Sequence, residues 1–194
     1  MERILLITEK EYGMLRESHY QLGMFLVSFR LEQSSDLQKR AFLFGCVEPD
    51  KNPFTYLKGT LRCRPLHGHN FQNAANYMAR LSHRLTHKKR WSVMDYYILG
   101  KLIHYITDAF THSHNDGFPA NLMLHRKYEA KLQIFFLEYL KHPQLKVTEA
   151  DSAYRTVASL HREYRTLPPD ILHDSRYALD ACCSVLTLLT AGRR

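Results

Sequence analysis

Apolar positions recur along this chain at spacings of three and four residues, and no stretch alternates as a strand would, so the pattern predicts helices nearly throughout. A first helix is expected to open after Thr8, with Glu11 completing a capping box, and to run through His19 to about Phe29. A second starts near Ser35, with Gln38 three residues on, and stops around Gly45, ahead of Glu48-Pro49-Asp50. Pro53, Gly59, Pro65 and Gly68 mark residues 46–68 as a long loop, of a length that in compact domains usually serves function. A third helix is expected from about Asn70 to His87. The fourth opens at Ser92, with Asp95 in the box position, and reaches about Phe110. Trp91, Met94, Tyr97, Ile98, Leu102 and Ile106, with Lys101 among them, wrap it in mostly apolar side chains and mark it as central. The fifth starts near Pro119, a favourable first helical residue, and continues to about Tyr139. Pro143 separates it from a sixth, capped by Thr148 with Asp151, and the last spans Pro169 to Gly192. The expected fold class is all-α: a single-domain bundle, residues 1–194, of about six or seven helices with one long loop at its functional site.

A chain of 194 residues can bury about 70% of its unfolded surface, so it needs no disulfide scaffold. Cys46, Cys63, Cys182 and Cys183 form no CxxC pair, and the adjacent Cys182 and Cys183 read as core thiols. The first residues, Met1 to Lys10, carry an apolar run too short and too charged for a signal peptide. No window reaches the length of a membrane span. A cytoplasmic protein with reduced thiols is expected. Net charge is +8, with basic clusters at Lys88-Lys89-Arg90, Lys39-Arg40 and Arg62/Arg64. That balance favours anionic partners: phosphates, lipid head groups or nucleic acid.

The chemistry concentrates between residues 104 and 129. His104 and Asp108 are four apart on the predicted central helix, so both lie on one face inside the bundle. A buried carboxylate there requires a cation or several donors. Imidazole nitrogens beside carboxylate oxygens are the donors that zinc takes, and several such pairs suggest more than one ion. His112 lies four residues beyond Asp108 and competes with His114 as the next ligand. His125 and Glu129 form a second pair with the same spacing on the fifth helix. Asn70, Asn115 and Asp116 are candidates to orient the imidazoles. His83, His87, His142 and His161 have no ligand spacing with this cluster and read as surface or helix-end residues. The dipeptide His173-Asp174 hints at a metallophosphohydrolase of the HD-domain kind, but reads as a surface pair in the first turns of the last helix.

These residues resemble the zinc-dependent phospholipase C family, whose all-α fold is shared by fungal zinc-dependent single-strand nucleases. The family pattern is His-x3-Asp-x5-His followed by His-x3-Glu or His-x3-Asp, and here it reads His104-x3-Asp108-x5-His114 and His125-x3-Glu129. Upstream, the family carries a His on an N-terminal helix, an Asp in a loop and a second loop His. His19, Asp50 and His69 fill those places in order, with Glu48 and His67 as alternatives to the last two. The resemblance implies one site from Asp50, His69, His104 and Asp108, and a second from His114, His125 and Glu129. A third would use His19 and the other oxygen of Asp108. It implies two or three Zn2+ ions, with Asp108 bridging a close pair and Asp50 both ligand and proton acceptor. In secreted members a tryptophan at the mature N-terminus supplies two ligands to the third ion; this chain starts with Met1, so Glu17 or solvent would have to substitute.

The resemblance also implies the activity: phosphodiester hydrolysis on an anionic phosphate ester, either a phospholipid head group or a nucleotide. Phe54, Tyr56 and Leu57 in the long loop would line the site's mouth, touch a membrane surface, or pack on the bundle. No obligate protein partner is expected. The alternative is a non-catalytic helical module that keeps a structural metal and binds anionic surfaces through its basic patches.

Overall fold

The computed structural model describes residues 16–51, 71–115, 117–119, 121–148 and 151–192, and among these the regular structure is helical. The description opens inside helix α1, residues 16–26, which loosens into a π turn over Val27–Leu31. There follow α2 (Asp36–Lys51), α3 (Phe71–Thr86), α4 (Val93–Ala109), a 3-10 turn (His112–His114), α5 (Leu122–Tyr139), α6 (Ala153–Tyr164) and α7 (Ile171–Thr190). The all-α expectation holds. No described helix is long and apolar enough to cross a membrane.

Two helices make the axis of the bundle. α4 is buried continuously from Ile98 to Ala109, and α7 is buried nearly all round from Asp174 to Leu186. A helix shielded on every face must be surrounded, and α4 packs against α2, α3 and α7. The outer helices are one-sided. α3 buries Ala74, Met78, Leu81 and Leu85, and α6 buries Ala153, Val157, Leu160 and Tyr164, both at helical spacing. Cys46, Cys182 and Cys183 are free thiols in this core, and burial raises the pKa of each.

Two helix starts carry the caps that the sequence predicts, and three are displaced. Ser35 and Gln38 form the expected reciprocal cap, Gln38 Oε1 accepting from the Ser35 N–H at 2.8 Å. Asp95 accepts from the Ser92 N–H at 2.9 Å and also holds Lys88 Nζ at 2.6 Å. Burial alone would raise the pKa of Asp95, but these donors bring it down to about 2. α5 starts later than Pro119, because Asn121 accepts from the N–H groups of Met123 and Leu124 and sets the cap there. α6 is entered from Ser152 rather than Thr148, and α7 from Asp170, whose carboxylate accepts from the Leu172 N–H.

The largest departure is α2, which does not stop at Gly45 but continues through Pro49 to Lys51. Gly45 serves contact rather than termination. A Cβ on Gly45 would lie 2.2 Å from the carbonyl oxygen of Tyr97, and one on Gly100 would lie 2.1 Å from that of Phe42. The backbones of α2 and α4 therefore touch where any side chain would stand between them. Asp50 consequently sits on the last turn of α2 and not in a loop.

Candidate metal centre

The α2–α4 seam fixes the first cluster. His104 is fully buried on α4, and the Cys46 carbonyl on α2 accepts from its Nδ1 at 2.9 Å. A carbonyl only accepts, so Nδ1 carries the hydrogen, and a neutral ring presents a lone pair at Nε2. That Nε2 faces Asp108 Oδ2 at 3.2 Å and Asp50 Oδ1 at 3.5 Å. From α1, His19 Nε2 faces Asp108 Oδ1 at 3.2 Å and Asp50 Oδ2 at 3.9 Å. The two imidazoles lie almost against each other, with ring centroids 4.1 Å apart. With Nε2 set against two carboxylates, either a proton on that nitrogen or a cation in its place must stand between them. Burial raises the pKa of Asp108, yet His104, His114 and His19 outweigh it and hold the carboxyl well below the usual range. Among the described residues, His19 Nδ1 and Asp50 Oδ2 are shielded from water and have no hydrogen-bond partner.

The second cluster joins the 3-10 turn to α5. Glu129 Oε1 accepts from His114 Nε2 at 2.8 Å and from His125 Nε2 at 2.7 Å. Burial disfavours a charge on His114, but Asp108 and Glu129 raise its pKa to about 9. Burial likewise disfavours the Glu129 carboxylate, and hydrogen bonds from His114 and His125 pull its pKa down to about 2. Asp108 acts on His114, so the two clusters adjoin. The first is the sealed end, and the second, with the His125 side chain 30% exposed, faces solvent.

The spacing distinguishes the two. Ligand atoms about 2.0–2.1 Å from a tetrahedral zinc stand about 3.3–3.4 Å from one another. The first cluster already has nitrogen-to-oxygen separations of 3.2, 3.2 and 3.5 Å. The second is closer, because its atoms share protons directly, and would have to open by about half an ångström to admit an ion. In chemical kind, imidazole nitrogens beside carboxylate oxygens, both groups fit zinc, and the first also has Asp50 Oδ2 buried without a hydrogen-bond partner among the described residues.

Of the residues expected at the centre, His19, Asp50, His104 and Asp108 are brought together, as are His114, His125 and Glu129. His69 and its alternative His67 lie outside the described residues, as do Asn70, Asp116, Cys63 and the Phe54–Leu57 stretch. Glu48, the alternative to Asp50, instead pairs with Lys101 Nζ at 3.1 Å. His112 is turned away from the cluster, its ring packed on Phe118 and Tyr128. Asn115 orients neither cluster's imidazoles: its amide donates to the Ala109 and Thr111 carbonyls and its oxygen accepts from His161. His161 is accordingly buried, not at the surface. Asp174, expected in an exposed pair, is also buried and ties the His112 backbone to α7. Neither residue has a spacing signal; both are placed by the packing of α6 and α7.

Over residues 18–179 the chain matches the family described as zinc dependent phospholipase C. Neither the curated proteins nor the solved structures include one that matches it.

Proposed function

The chain belongs to the zinc-dependent phospholipase C family, and from that premise we propose that it hydrolyses phosphodiesters at a cluster of two or three zinc ions. The supporting observation is the pair of imidazoles, His19 and His104, set against the two oxygens of one buried carboxylate, Asp108, with Asp50 beside both. Asp50, His104 and Asp108, joined by His69, would hold one ion. His114, His125 and Glu129 would hold a second. His19 and the remaining oxygen of Asp108 would hold a third.

Zinc bound there supplies Lewis acidity toward phosphoryl oxygens and makes water acidic enough to attack near neutral pH. The protein's own residues do the rest. Asp108 lies between His19 and His104 with one oxygen toward each, so it would serve as a ligand shared by two of the sites. Asp50 Oδ2, buried and without a hydrogen-bond donor among the described residues, is placed to take a proton from the attacking water. The Cys46 carbonyl keeps His104 in the tautomer that offers Nε2. The solvent-facing His114–His125 side is the entry for substrate, and the family implies a phospholipid.

The test is elemental analysis of wild type and Asp108→Ala, purified without chelating resin, followed by a panel of phospholipids and other phosphodiesters. At least two zinc ions per chain, one or more lost in the variant, and hydrolysis abolished by chelation and restored by zinc are expected. Zinc without hydrolysis of any phosphodiester would reduce the protein to a helical module with a structural metal. Zinc content unchanged by Asp108→Ala would remove the bridged cluster.

A further inference from the structure

The second cluster depends on two separate pieces of chain, which touch where the His112 ring packs on Tyr128. His114 comes from a three-residue 3-10 turn, too short to be rigid by itself. His125 and Glu129 come from α5. Two imidazoles converge on one oxygen of the third side chain, Glu129 Oε1, so a shift of the turn against α5 would undo the site.

Asp174 links both pieces. Its Oδ2 accepts from the His112 N–H at 2.8 Å, inside the turn, and from the Tyr128 hydroxyl at 2.8 Å, on α5 immediately before Glu129. Its Oδ1 accepts from the Tyr164 hydroxyl at 2.7 Å, on α6. The residue is 1% exposed. Placing a carboxylate there carries a desolvation cost that a well-packed apolar side chain would avoid, and its return is directional: three donors from three elements meet at fixed distances. None of these bonds touches a candidate ligand atom: one holds the turn's backbone at His112 and two hold tyrosine hydroxyls of α5 and α6.

We infer that Asp174 is a positioning residue for the second metal site, holding the His112–His114 turn beside α5 so that His114, His125 and Glu129 stay within reach of one ion. This rests on the metal reading of the cluster given above, and the test separates the two. Zinc affinity is measured by competition against a chromophoric chelator. His125→Ala should delete one class of site and so identify the second site in the titration. Asp174→Ala should weaken that class by about 10–100-fold and leave the other class unchanged. Asp174→Asn, whose amide oxygen still accepts from the His112 N–H, should recover most of the affinity. Tyr164→Phe removes the bond on the side away from the cluster, and should lower Tm while leaving zinc affinity unaltered.

An Asp174→Ala variant that is less stable but binds zinc at the second site as wild type does would overturn the inference. Equal weakening by Asp174→Ala and Tyr164→Phe would do the same, since it would mark a general loss of packing. Should Asp174→Ala not fold, the contrast passes to Tyr128→Phe, which should weaken the second site where Tyr164→Phe does not; equal affinities in that pair also overturn it. If His125→Ala removes no zinc, the metal reading of the cluster fails first, and the inference with it.

Discussion

At His114 and Glu129, protons and zinc compete for the same atoms. In metal-free protein the two shifts have opposite signs. Glu129 is lowered from 4.5 to about 2, so its contribution to stability is complete above pH 4.5 and is lost as pH falls toward 2. His114 is raised from 6.5 to about 9, so its contribution is complete below pH 6.5 and is lost as pH rises through 9. The pair therefore stabilises the metal-free fold most between pH 4.5 and 6.5. Thermal unfolding of chelated protein across pH should show this plateau, and His114→Asn should remove the alkaline decline; an unchanged decline would assign it elsewhere. Zinc uptake near pH 7 should release a proton from this pair and tighten as pH rises toward 9, readable by calorimetry in buffers of different ionisation enthalpy. What the sequence disclosed at this scale follows one rule. His104/Asp108 and His125/Glu129 were legible because a helix places residues four apart side by side. The meeting of His19 with Asp108 was implied by the family resemblance and not by spacing. The pairing of Glu48 with Lys101 and the burial of Asp174 and His161 depend on contacts between distant segments, and spacing carries no record of those.

Among the helices, α2 and α4 have the most exacting contact. Gly100→Ala would set a Cβ 2.1 Å from a backbone carbonyl that cannot rotate away. Separating the helices should cost about 1–3 kcal/mol, read by denaturant unfolding, and should lower zinc content by moving Asp50 and the Cys46 carbonyl away from His104. Wild-type zinc content in a destabilised Gly100→Ala protein would show that the seam serves the fold alone. The central place of α4 was legible from its unbroken apolar wrap. The end of α2 was not, because Gly and Pro usually signal a stop. Here the glycine makes room for a neighbouring backbone, and the proline sits within the last turn. On α7, Asp174, Asp180 and Ser184 take backbone N–H groups of His112, Lys146 and Thr148, so this helix fastens the chain between the other helices.

Across the whole molecule, the described candidate ligands extend from His19 to Glu129 and belong to α1, α2, α4, the 3-10 turn and α5. Zinc would join these segments only in the folded state, so its binding energy adds to folding. Free zinc at about 100 times a site's dissociation constant should stabilise the fold by about 2.7 kcal/mol for that site. Chelation should lower Tm and zinc restore it, and scanning calorimetry with Mg2+ as control separates zinc from general ionic effects. An identical Tm with and without chelator would mean that these ions do not couple the segments. The two seam glycines carry no reactive atom, and no search for His, Asp and Glu spacing would retain them. A chain could keep every ligand position, replace Gly45 or Gly100 with alanine, and still match the same pattern while its second and fourth helices stood apart. For predicting which members of such a family are enzymes, the informative letters in this sequence include two that take no part in the chemistry.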